Sequence, residues 1–251
     1  MKQNKKIRIF IALLFLAVMN TFGQNNANKK DLKGFALLEL YTSEGCSSCP
    51  PADELMGKIQ SEYKNGSVYV LAYHVDYWDK QGWKDIFSKP EFTQRQYDYA
   101  TFLGKEPIYT PQLIINGKID YIASQETSVR NGIKNALAKP AALDLSLDAK
   151  QVGNKLSLNY NIDGNFKNSR LLIAVVQKAA KSNVKRGENA HRILSHYQIV
   201  HNLLTIDLKS AKGSNTISLP KNFNLQDFEV IGFVQNQNNG VILGAEKAIL
   251  Q

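Results

Sequence analysis

Cysteine is nearly missing from this 251-residue chain: there are two, at positions 46 and 49. Two are too few for the disulfide scaffold of a small secreted domain. Long apolar runs are missing as well. The run IFIALLFLAV near the start is about ten residues, half of what a membrane-spanning helix needs. No dense lysine and arginine stripe interleaved with aromatics occurs, which argues against nucleic-acid binding. Internal repeats and low-complexity tracts are absent too.

The short apolar run follows Lys2, Lys5, Lys6 and Arg8 and is followed by TFGQ. That order predicts a signal peptide over residues 1–23, with the cut after Gly23. No cysteine follows the run, so no lipoprotein anchor is expected. Residues 24–33, QNNANKKDLK, read as a polar, flexible lead-in. The expected product is exported, periplasmic or secreted, with no stable membrane insertion after cleavage. The whole chain carries 31 basic and 22 acidic residues, and four of the basic ones lie in the signal, which leaves a net charge of +5.

Two regions follow, with different textures. Residues 34–139 alternate apolar runs with helical spacing. GFALLELYT and SVYVLAYHV read as buried strands, and PADELMGKIQSEYK between them as a helix. Strand, helix, strand implies a parallel crossover. An aromatic-rich insertion near residues 76–105 holds both tryptophans and a helix from Pro90. TPQLIINGK and KIDYIAS predict a hairpin turning at Asn116-Gly117, and a last helix carries Val129, Ile133 and Leu137, with Ser124 as its N-cap. From Pro140 to residue 251, period-two alternation in ALDLSLDAK and NKLSLNYNID, with apolar runs such as RLLIAVVQK and FEVIGFVQN, predicts an all-β sandwich.

Cys46-Ser-Ser-Cys49 lies where the first strand gives way to the first helix. A redox pair, half of a metal site and a structural staple all fit two cysteines. A staple closing so short a loop would stabilise weakly. At a helix start, the dipole and the unpaired N–H groups favour thiolate over thiol. The redox reading therefore makes Cys46 the exposed attacking sulfur and Cys49 the resolving one. Glu44, two residues earlier, would oppose that ionisation. Thr110-Pro111 opens the third strand; taken alone, it reads as a trans strand-initiating proline.

The order of strand, CxxC, helix, strand and Thr-Pro strand looks like the thioredoxin fold. More narrowly, LELYTSEGCSSCPPAD, YHVDYWDKQGWKDIFSKPEFTQRQ, YTPQLIING and RGENAHR resemble an exported bacterial thioredoxin-like family of unknown function. The expected fold class is thus an α/β thioredoxin-like domain followed by an all-β sandwich domain. The resemblance implies a cis Thr110-Pro111 bond beside the cysteines, with Pro111 presenting backbone to a substrate. It also implies that a buried Glu39 moves protons for Cys49, and that RGENAHR contacts the first region.

Other residues carry open alternatives. His74, at the end of the second strand, could stabilise the Cys46 thiolate, complete a copper or zinc site with both thiolates, or simply pack as a hydrogen-bonded core histidine. Thr110, Tyr77 and Trp78 are the candidate substrate-binding residues. The aromatic segment could equally form a small core of its own. His191, His196 and His201 stand five apart, a spacing that suits neither one helix face nor one strand face, so no metal cluster is expected there. The best reading is an exported thiol–disulfide oxidoreductase acting on protein or small-molecule thiols, or with a redox partner protein, and without a cofactor or resident metal. The alternatives are a copper or zinc delivery module using the same cysteines and a non-catalytic interaction protein.

Overall fold

The run GFALLELYT forms the strand β1 (Ala36–Thr42), buried along its whole length. Such a strand needs cover on both faces. Leu38 and Leu40 enter one core, and Leu37 and Tyr41 enter another. The computed structural model describes residues 32–64 and 66–250. The signal peptide expected over residues 1–23, and most of the lead-in, lie outside the described residues.

Helix α1 (Pro50–Glu62) opens on two prolines, whose missing N–H groups cost little in a first turn. Strand β2 (Val68–His74) runs parallel to β1, with Thr42 beside His74. The insertion leads into α2 (Pro90–Leu103), closed by Gly104 in the left-handed region at φ 62°. Strands β3 (Gln112–Ile115) and β4 (Ile119–Ile122) form the expected hairpin, with Asn116 and Gly117 at φ 51° and 65°. Helix α3 (Glu126–Leu137) follows. Its N-cap is Gln125 rather than Ser124, and no side chain caps it.

Beyond Pro140 come β5 (Leu143–Val152), β6 (Lys155–Gly164), β7 (Ser169–Asn183) and β8 (Ile193–Asp207). They are followed by β9 (Lys212–Ser218), β10 (Phe228–Asn236), β11 (Ile242–Lys247) and β12 (Ile249–Leu250). One sheet has the order β12-β5-β6-β9; the other runs β11-β10-β7-β8-β2-β1-β3-β4. The alternating strands β5 and β6 meet a core on one face only. The apolar strands β7 and β10 meet cores on both: Leu171, Ile173 and Val175 face β5 and β6, while Leu172, Ala174 and Val176 join the core of α2.

Strand β8 makes the join between the two regions. It pairs with β7 over most of its length and touches β2 through the parallel pair Ala72 and Ile199. Its sequence, ILSHYQIVHNLLTID, has neither a long apolar run nor sustained alternation, so nothing marks it as a strand. Through it, residues from both regions share a core in which Tyr41, Tyr73 and Phe92 pack with Ile231 and Phe233. The architecture is mixed α/β, with two sheets, three helices among the described residues and no closed barrel.

Candidate functional site

Residues 43–49 turn the chain from β1 into α1. Cys46 and Cys49 are joined there as a disulfide, with Cα atoms 5.4 Å apart, and Cys49 is the N-cap residue of α1. The expectation of an exposed attacking sulfur is corrected: Cys46 is 0% and Cys49 1% exposed. Only Ser47 and Ser48 of this turn reach solvent well. The cover is the loop of residues 184–192, VKRGENAHR, which links β7 and β8. Buried Asn189 donates from Nδ2 to the carbonyls of Glu44 and Cys46, both at 2.9 Å. The Ser47 N–H donates to the Glu188 carboxylate at 3.0 Å. The RGENAHR segment therefore does contact the first region, as the resemblance implied.

Trp78 also packs against the cysteine turn. A Cβ on Gly45 would lie 3.1 Å from the Trp78 Cβ, so only glycine fits easily at that position. The Trp78 indole N–H donates to the Thr110 hydroxyl at 2.9 Å. The Thr110-Pro111 bond is cis, as the resemblance implied. Gln112 pairs with Tyr41, so Pro111 lies at the sheet end from which the cysteine turn departs. Trp78 thus links the cysteine turn to the Thr110-Pro111 segment. Tyr77 is half-buried beside it, and burial pushes its phenol up to about 12.

Glu39 is buried mid-strand, but it faces away from the cysteine helix. It shares a side of β1 with Leu37 and Tyr41, toward α2, whereas α1 packs on the Leu38 and Leu40 side. Its Oε2 accepts from Arg95 Nε at 2.7 Å, and its Oε1 accepts from the Tyr99 hydroxyl. Burial works against the Arg95 charge, but the Glu39 carboxylate holds that guanidinium well above its usual range. Glu39 is a counter-ion for Arg95, and the expectation that it shuttles protons for Cys49 is corrected by this geometry.

His74, buried, places Nδ1 2.7 Å from Asp85 Oδ2. Burial opposes its charge, yet Asp85, with Asp53 and Glu44 beyond, holds its pKa above the ordinary histidine value. Asp85 is held low in spite of burial by His74 and by the backbone N–H groups of Glu44 and Phe87. The ring neighbours of His74 are Phe87 and His196, with centroids 5.2 and 5.1 Å away. His74 is thus committed to Asp85, while Cys46 Sγ lies 3.4 Å from the Ser48 hydroxyl.

Around His74 lies a buried polar cluster that sequence reasoning missed. One ligating atom from each of Asp53, His74 and His196 lies within 4.8 Å of the others. Glu44 accepts from the Trp83 indole N–H at 2.6 Å and carries Oε1 3.6 Å from His196 Nε2. The five-residue spacing of the histidines concealed this arrangement. A bulge in β8, where Val200 and Asn202 pair with Val176 and Val175, inserts His201 and breaks the alternation of faces. His196 and His201 consequently both lie against the Phe87 ring, at 5.6 and 5.9 Å. His191 stays in the capping loop at φ 65°. Asp53 has a helix-start signature in the sequence, and nothing there separates that role from this one.

A family model described as a protein of unknown function, DUF1223, matches residues 37–235. The chain belongs to the DUF1223 family. The match runs from β1 into β10 and so includes the cysteine turn, the capping loop and the buried cluster of this DUF1223 protein. Among solved structures, a structural-genomics protein of Agrobacterium tumefaciens is 26% identical, over 84% of this chain and 92% of its own, with a TM-score of 0.64. HBP35 of Porphyromonas gingivalis is 18% identical over 87% of this chain and 76% of its own, with a TM-score of 0.59. The latter is a likeness of fold. No curated protein matches.

Proposed function

We propose that this DUF1223 chain is an exported thiol–disulfide oxidoreductase, built on a thioredoxin-like unit over residues 34–139 that a β-sandwich layer follows. The observation that carries the reading is the Cys46–Cys49 disulfide at the start of α1, covered by a loop held there by polar contacts. A helix start is where a thiolate is stabilised. Export is inferred from the basic, apolar opening of the chain; no described helix is long and apolar enough to cross a membrane.

The capping loop explains how a buried disulfide remains usable. Glu188 takes the Ser47 N–H, and Asn189 takes the Cys46 carbonyl. Those are main-chain groups that a substrate peptide would use, so the loop holds the substrate's place and has to lift. A substrate thiolate then attacks Cys46 Sγ, a mixed disulfide forms, and Cys49 leaves as the thiolate. The substrate's second thiolate attacks its own sulfur in that mixed disulfide and releases Cys46. The substrate dithiol loses two electrons, the pair gains them, and the reverse sequence reduces a substrate disulfide.

Turnover of a fluorescent dithiol and disulfide peptide by the mature protein tests the reading. Cys46→Ser is expected to abolish it, and Glu188→Ala to raise its rate by removing one tether of the cap. Undiminished turnover in Cys46→Ser would overturn it.

A further inference from the structure

We propose that Asp53, His74 and His196 bind one divalent transition-metal ion of the zinc class, across the seam between β2 and β8. The site is separate from the cysteines, which are joined to each other and so offer no thiolates. It does not depend on the redox reading. The three residues come from the first turn of α1, the end of β2 and the first third of β8.

Asp53 Oδ1, His74 Nε2 and His196 Nδ1 are all buried and have no hydrogen-bond partner. Buried polar atoms rarely go unsatisfied, and three within one cluster of side chains call for a common occupant. Asp53 Oδ1 and His196 Nδ1 stand 3.9 Å apart. Zinc bonds of about 2.0–2.1 Å in a tetrahedron separate ligand atoms by roughly 3.3 Å, so the three side chains, whose ligating atoms lie within 4.8 Å of one another, draw inward around the ion.

The other end of each side chain is held. His74 Nδ1 meets Asp85 at 2.7 Å, His196 Nε2 meets the Ser182 hydroxyl at 2.9 Å, and Asp53 Oδ2 accepts from the Thr42 hydroxyl at 2.8 Å. Each residue is pinned by one polar atom and presents the other. This is how ligands are oriented at protein metal sites, the carboxylate behind a ligating histidine above all.

Glu44, Asp53 and Asp85 are all buried carboxylates. Among the described residues, their ion pairs are with His74 and His196 alone, and no lysine or arginine joins them. Three buried anions facing two imidazoles leave a deficit of positive charge that a dication reduces from three charges to one. Two imidazole ligands select a transition ion over magnesium or calcium. A single ordered water could touch the same three atoms but would leave that deficit in place.

The test uses the mature, oxidised chain, stripped with a chelator and titrated with Zn2+ against a chromogenic chelator. One zinc per chain is expected, together with a higher Tm. His196→Gln and Asp53→Asn should each lose at least about tenfold in affinity, and Asp85→Asn roughly 10–100-fold. The Cys46→Ser, Cys49→Ser double variant should bind zinc as the wild type does. Should the histidine variants misfold, Co2+ added to the wild type reads the ligands directly: a nitrogen- and oxygen-ligated spectrum supports the site, and a thiolate charge-transfer band contradicts it. No zinc uptake, loss of uptake in the cysteine double variant, or an ordered water at the site in crystals grown with excess zinc would each overturn the proposal.

Discussion

Asn189 closes two carbonyls of the cysteine turn with one amide group, at a fully buried position. Asn189→Ala leaves both acceptors without that donor, at a cost of about 1–3 kcal/mol in a denaturant titration. Glu39 gives the opposite kind of test. Glu39→Gln keeps the shape but leaves the Arg95 charge buried without its counter-ion, and the expected loss is about 3–5 kcal/mol. Because Glu39 faces away from α1, peptide turnover per folded molecule should be unchanged; a collapse in turnover without loss of stability would restore a proton-transfer role. His201 supplies a pH signature. Burial first, then the charges of Lys89 and His74, lower its pKa to about 4, and its Nε2 lies 2.7 Å from Gln177 Oε1. The folded chain keeps it neutral, while the unfolded chain protonates it near 6.5, so its contribution is full above about pH 6.5 and disappears as pH falls toward 4. Allowing for solvent screening of a partly exposed ring, His201→Gln should remove about 1–2 kcal/mol of acid sensitivity from that window. Identical pH profiles for the two proteins would contradict this.

At the scale of elements, the β3–β4 turn shows how closely two turns meet. Gly117 sits at φ 65°, and a Cβ there would come within 2.0 Å of the Gly240 carbonyl oxygen, in the turn between β10 and β11. Gly117→Ala is expected to cost roughly 2 kcal/mol, from backbone strain plus displacement of that carbonyl; a change within experimental error would show that the two turns yield freely. The Asn-Gly signal made this hairpin legible, as apolar runs did for β1 and β2 and alternation did for β5 and β6. Strand β8 was not legible. Its bulge at His201 interrupts the period on which strand reading depends, and its polar residues face a buried polar cluster instead of solvent or an apolar core.

At the scale of the whole molecule, that unmarked strand carries both the join and the site. The cysteine pair could be read from a short local motif, and the cis bond at Pro111 only from the family resemblance. The cap from residues 184–192 and the cluster of Asp53, His74 and His196 could not, because each needs a segment more than a hundred residues further along the chain. A core shared by Tyr41, Tyr73, Phe92, Ile231 and Phe233 predicts one cooperative calorimetric transition, with equal calorimetric and van't Hoff enthalpies. Two separate transitions would show that the regions on either side of Pro140 are independent.

The most direct test of the redox account is native-state reduction of the pair by a thiol buffer of set potential, trapped by alkylation and read by mass spectrometry, in the wild type and in Asn189→Ala. A complete, reversible two-electron couple is predicted, with Cys46 alkylated first and faster reduction in the variant. A bond that no thiol buffer opens until the chain itself unfolds would contradict it.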